Sequence, residues 1–143
     1  MRCHLDGPTA LATLTTTTDL GVFLFIRYGF FASGSVVIGG TAFDEPGVNY
    51  VFTLNADTLA LQSQRQVLPE AYITDMTWFD GQLVALADGA IVLVGSDGMA
   101  EATIALDGAP NAFPRGLTAI GSAAYVVDRV ADGDALLYAV ELP

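Results

Sequence analysis

Acidic side chains supply most of the chemistry this chain could perform. Asp128, Asp132 and Asp134 cluster around Gly133, and several carboxylates in one short stretch are what a hard cation such as calcium requires. Their spacing is not that of an EF-hand loop. Acidic residues are also ordinary hairpin-turn elements, which is the reading we favour here. Nucleophilic catalysis is poorly provided for: His4 is the one histidine, it lies near an end expected to fray, and Cys3 beside it would point to the other side of an extended chain. The chain has no Lys for a P-loop and no GxSxG elbow. Gly39-Gly40 is too short for a dinucleotide fingerprint and reads as a strand end or bulge. We expect no catalytic residue and no cofactor, with calcium at the Asp128, Asp132 and Asp134 cluster as the exception.

The elements that would position these residues are written in the turns. Asp80-Gly81, Asp88-Gly89, Asp97-Gly98 and Asp107-Gly108 fall 8, 9 and 10 residues apart, separated by runs of Val, Leu, Ile and Ala. Asp-Gly tolerates the positive φ angles of tight hairpins, so strand-sized intervals between such pairs describe an antiparallel meander. Four strands follow: Thr74 to Phe79, Gln82 to Ala87, Ala90 to Gly95 and Ala100 to Leu106. The second and third are near-continuous apolar runs, as in strands covered on both faces, whereas Glu101 and Thr103 alternate with apolar neighbours in the fourth, as at a rim. No stretch shows helical spacing with caps at both ends, so the expected class is all-β.

Self-comparison extends this unit. Asp75-Met76-Thr77-Trp78-Phe79 lies opposite Gly116-Leu117-Thr118-Ala119-Ile120 at an offset of 41, and Leu83 to Leu86 opposite Ala124 to Val127. An earlier copy aligns Gly34 to Ile38 with Gly81 to Ala85. A period near 40 with four strands per unit indicates propeller blades. The expected fold is a propeller-like array of about three four-stranded antiparallel blades, roughly 19–68, 69–108 and 109–143, after a disordered start at 1–9. The last unit has three strands, and residues 10–18, rich in Thr, are expected to supply its outer strand. Three blades make a tight ring, since propellers usually hold roughly four to eight. Either copies assemble into a larger ring or the chain is a piece of a longer propeller.

Pro114-Arg115-Gly116-Leu117-Thr118-Ala119, Ala124-Tyr125-Val126-Val127-Asp128 and Leu137-Tyr138-Ala139-Val140 resemble propeller repeats of the YVTN and NHL type, with Trp78 to Val94 a weaker copy. Leu20 to Phe31 departs from the pattern. Such repeats occur in binding proteins, sensors, lactonases and scaffolds, so the resemblance implies a platform rather than a reaction. On that topology, the connections leading into the innermost strands, with the loops after the second strands, surround the axis where ligands usually sit. Glu70, Tyr72, Asp75, Asn111, Phe113 and Arg115 are therefore the candidate ligand-binding residues. Arg115 could orient an anion, or more simply pair with Asp75. Trp78 is expected to fill the core between blades.

Composition narrows the partners. Sixteen acidic residues stand against five basic ones, for a net charge of −11, a field that repels phosphate backbones and anionic lipid. Nucleic acid is not expected as a partner. Leu20 to Phe43 carries one charge, Arg27, over a bilayer-spanning length, but its five glycines and strand-sized apolar pieces argue against a membrane span. The partners expected are a protein, a small molecule or further copies of the chain. The function expected is a non-enzymatic binding platform. Its alternative is a metal-dependent, lactonase-like hydrolase using axial carboxylates. The lysine-free acidic composition and the repeat type lean towards an exported parent protein, periplasmic or extracellular.

Overall fold

A computed structural model of the chain describes residues 3–4, 11–12, 19–106, 116–129 and 135–143. Two short segments come first, β1 (Cys3–His4) and β2 (Leu11–Ala12), paired antiparallel with each other. The first large sheet holds β3 (Leu24–Ala32), β4 (Ser35–Ala42), β5 (Asn49–Asn55) and β6 (Leu61–Gln66) in chain order. The second holds β7 (Ile73–Phe79), β8 (Gln82–Ala87), β9 (Ala90–Val94) and β10 (Ala100–Ala105), again each beside the next. In the third, β11 (Gly116–Ile120), β12 (Ala123–Arg129) and β13 (Ala135–Glu141) form a three-stranded meander. All described pairings are antiparallel, and among the described residues there is no helix. The fold is an all-β array of three successive sheets.

Turn chemistry explains the meander. Asp80 and Gly81 have φ of 43° and 82°, and Asp88 and Gly89 have 50° and 78°. Each pair is a two-residue connection with both residues left-handed, whose twist matches that of the strands it joins. Ser33-Gly34 does the same between β3 and β4, at 48° and 77°. Asp107-Gly108 lies outside the described residues.

Alternation along the strands then decides what covers what. Leu83, Ala85 and Ala87 of β8 and Val92 and Val94 of β9 turn to the first sheet, meeting Tyr28, Val37, Val51 and Val67. Val84, Leu86, Ile91 and Leu93 turn the other way, to Leu117, Ala124 and Val126 of the third sheet and to Leu142 just after it. The middle sheet is therefore buried on both faces, as its unbroken apolar runs require. The outer strands β6, which is polar, and β10, which is Ala-rich with Glu101 and Thr103, are largely exposed. The inner strands β3, β7 and β11 are brought next to one another, β7 touching both of the others.

Two polar devices hold the sheets together. Asn49, buried on β5, donates from Nδ2 to the carbonyls of Leu68 and Ala71, each at 2.9 Å, and its Oδ1 accepts from Thr41 Oγ1. This fixes the connection from the first sheet to the second, which the Leu68 amide also ties to the Gly98 carbonyl. Between the second sheet and the third, Asp75 Oδ2 accepts the Leu117 amide at 2.8 Å, while its Oδ1 accepts that of Met76.

Three expectations meet the structure differently. Leu11–Ala12 pairs with Cys3–His4, and the third sheet has three strands among the described residues; residues 13–18 lie outside them. Trp78 is 37% exposed rather than a core wedge, because it stands at the end of β7, two residues before the Asp80-Gly81 turn. Leu20 to Phe43 folds largely as the β3–β4 hairpin, and among the described residues no helix is long and apolar enough to cross a membrane.

Candidate functional site

The region around the adjacent inner strands is built from β3 and β7. In β3 the register slips between Ile26 and Tyr28, so Arg27 occupies a bulge, the usual device for re-aiming a side chain. Opposite the bulge, Gly39 and Gly40 of β4 leave room for close contacts. A Cβ on Gly39 would fall on the ring of Tyr28, and one on Gly40 on the Phe25 carbonyl. Gly39-Gly40, expected at a strand end or bulge, lie inside β4 and face a bulge whose extra residue is on the partner strand.

Arg27 reaches across to Tyr72, just before β7. Its guanidinium lies 5.1 Å from the ring centroid, and Nη1 donates to the Tyr72 hydroxyl at 3.3 Å. A cation held against a ring face in this way is attracted to the negative π-cloud. Both side chains are exposed. Tyr72 is itself positioned from the backbone: its amide donates to Asp88 Oδ1 at 3.0 Å, and its carbonyl accepts the Asp88 amide. The connection into β7 and the loop after β8 are therefore joined on one side of the array, the side chosen for the candidate site.

Tyr28 lies beneath. It is buried, and among the described residues its hydroxyl has no hydrogen-bond partner. Burial pushes its pKa well above the ordinary tyrosine range; the Arg27 guanidinium draws it back and the Asp75 carboxylate adds to the rise.

Of the six ligand-binding candidates, the structure describes three. Tyr72 is exposed against Arg27, and Asp75 sits half-buried on β7, its carboxylate engaged by two backbone amides. Glu70 is exposed in the connection, with φ of 66° and its amide on the Gly47 carbonyl. Asn111, Phe113 and Arg115 lie outside the described residues, as do Asp132 and Asp134. Asp128 is buried on β12, opposite Leu136. Among the described residues no three His, Cys, Asp or Glu side chains are grouped to hold a metal ion.

Sequence reasoning missed Arg27 and Tyr28. A signal existed, since Arg27 is the single charge between Leu20 and Phe43. A lone cation in an apolar strand pair needs a partner or an exit to solvent, and the bulge supplies both. No protein-family model matches the chain, and no curated protein matches it.

Proposed function

We propose that this chain is a non-enzymatic, propeller-type platform that binds a protein or small-molecule ligand beside its adjacent inner strands. The likeness to YVTN and NHL repeats and the three sheets with neighbouring inner strands support the platform. So does the shared register: Thr77 pairs with Val84, and 41 residues on Thr118 pairs with Tyr125.

One observation carries the choice of site: an exposed Arg27 guanidinium stacked on an exposed Tyr72 in a protein of net charge −11. Guanidinium groups bind carboxylates through paired N–H donors, and an adjoining ring favours flat apolar groups. The ligand class that suits the pair is therefore an anion with an aromatic or apolar body, whether a small acid or an acidic, aromatic-containing segment of a protein.

Benzoate is the simplest probe of that class. Titrated into the labelled protein at moderate salt, it is expected to shift the amide resonances of Arg27, Tyr28, Tyr72 and Ile73, and to lose that effect in Arg27→Gln. Shifts absent from these residues, or unchanged in the variant, would overturn the assignment.

A further inference from the structure

Where β3 begins and β4 ends, three phenyl rings stand in solvent at one place. Phe23 and Phe25 are two residues apart on extended chain, so they share a face of the strand pair. The Phe43 amide donates to the Phe23 carbonyl at 2.9 Å, which continues the ladder past the Leu24 and Ala42 pair and sets Phe43 across from Phe23 on that same face. Phe25 and Phe43 then meet on the diagonal, their ring centroids 5.1 Å apart and their planes tilted by 43°. All three rings remain open, Phe23 at 79% exposure, Phe43 at 62% and Phe25 at 52%. With Leu24 and Asp44 they line a hollow of about 390 Å³. Asp44 also lines a neighbouring hollow with Phe23 and Glu45, and among the described residues neither carboxylate has a basic partner.

We propose that this hollow binds a quaternary ammonium group carried by a small soluble molecule. The faces of aromatic rings carry negative π-density, which attracts a cation without offering it hydrogen-bond acceptors. An ammonium clothed in methyl groups suits such a surface, because it has charge and apolar area but no N–H to satisfy. Pockets for small ligands start at about 300 Å³, so the space is adequate for the group and a short tail. Asp44 and Glu45 select the sign of the ligand: they attract a cation and repel an anion, in a chain whose net charge is already −11. A neutral apolar ligand would use the rings and leave the carboxylates without a role. Arg27, two residues past Phe25 and the one nearby charge that opposes a cation, is turned to Tyr72. Three rings exposed together mark a place of contact rather than ordinary surface. The site is separate from the Arg27 and Tyr72 pair, takes a ligand of opposite charge, and does not rest on the platform reading.

Choline is the probe. Titrated into the labelled full chain at low salt, it is expected to bind with a Kd on the order of 1 mM and to shift the signals of Phe23, Phe25, Phe43 and Asp44. Its neutral tert-butyl analogue, in which carbon replaces the ammonium nitrogen, has the same shape without the charge and is expected to bind about tenfold more weakly. Phe43→Leu keeps apolar bulk at an exposed position but removes a ring; choline should weaken about fivefold while the neutral analogue is nearly unaffected. Asp44→Asn is expected to weaken choline about threefold, an effect that fades with added salt. Equal binding of choline and its neutral analogue would overturn the proposal, leaving an apolar surface only. So would choline shifts unchanged in Phe43→Leu, which would mean diffuse attraction to an acidic surface, or no shifts at these four residues. Phosphatidylcholine vesicles are expected not to sediment the protein; sedimentation that is lost in Phe43→Leu would assign the rings to a lipid surface and overturn the choice of a soluble ligand. Benzoate reports on Arg27 and Tyr72, so failure here and failure of that assignment are separable.

Discussion

The second and third sheets use equivalent residues in unequal surroundings. Leu86 of β8 is completely buried between sheets, whereas Val127, its counterpart 41 residues on, is 46% exposed. The strand pairing is the same in kind, Thr77 opposite Val84 and Thr118 opposite Tyr125. What differs is the presence of a neighbour. An apolar strand is read from its side chains, but its burial belongs to whatever lies across the next 10 Å or so.

The strongest way to break this comparison is by truncation. Leu86→Ala is expected to cost about 2–5 kcal/mol, because it opens a cavity between two packed sheets. Val127→Ala, at a concentration where the chain is single, should cost under about 1 kcal/mol. Urea denaturation measures both, and equal losses would show that the third sheet's far face is covered after all.

The two polar devices between sheets sharpen it next. Asn49→Ala strands the carbonyls of Leu68, in a buried setting, and Ala71, in a half-buried one, an expected loss of about 1–3 kcal/mol. Asp75→Ala removes the acceptor for Leu117 in a half-buried setting, so about 1 kcal/mol is expected there. Hydrogen exchange should separate the two: the Leu117 amide loses protection in the Asp75 variant and keeps it in the Asn49 variant.

The smallest effect concerns Tyr28, between the first sheet and the second. Its folded pKa lies above the unfolded one of about 10. Below that pH both states hold the proton, and the tyrosine contributes no pH dependence. Above it the unfolded chain releases the proton while the folded chain retains it, so stability falls by about 1.4 kcal/mol per pH unit until the folded pKa is reached. Tyr28→Phe removes this part of the alkaline loss, and its buried hydroxyl has no partner among the described residues to miss. Urea midpoints at pH 9 and pH 11 for the two proteins provide the test, and identical pH dependence would place the raised group elsewhere.

Legibility divides along the distance between interacting residues. The Asp80-Gly81 and Asp88-Gly89 turns, the four strands of the second sheet and the three of the last were readable, because hairpin chemistry and apolar alternation act over a few residues. The first sheet was harder: the bulge at Arg27 breaks the alternation of β3, so Leu20 to Phe31 resembled no repeat. Half of the candidate site was legible as a place. Tyr72 was found by topology, since the connection into an inner strand does meet the loop after the second strand, through Asp88. Asp75, foreseen as a partner of Arg115, accepts two backbone amides at the junction of the inner strands, where unpaired N–H groups need an acceptor; Arg115 itself lies outside the described residues.

The amino-acid sequence by itself determined the class of the fold, the order of the strands and the tight turns between them, all consequences of local backbone preference and side-chain alternation. Only the tertiary structure decided that Arg27 would lie over Tyr72, 45 residues away, and that Val127 and Leu137 would stay exposed on the third sheet's far face. Those outcomes depend on how whole sheets stack, and stacking is set by the summed fit of many side chains rather than by any short stretch of chain.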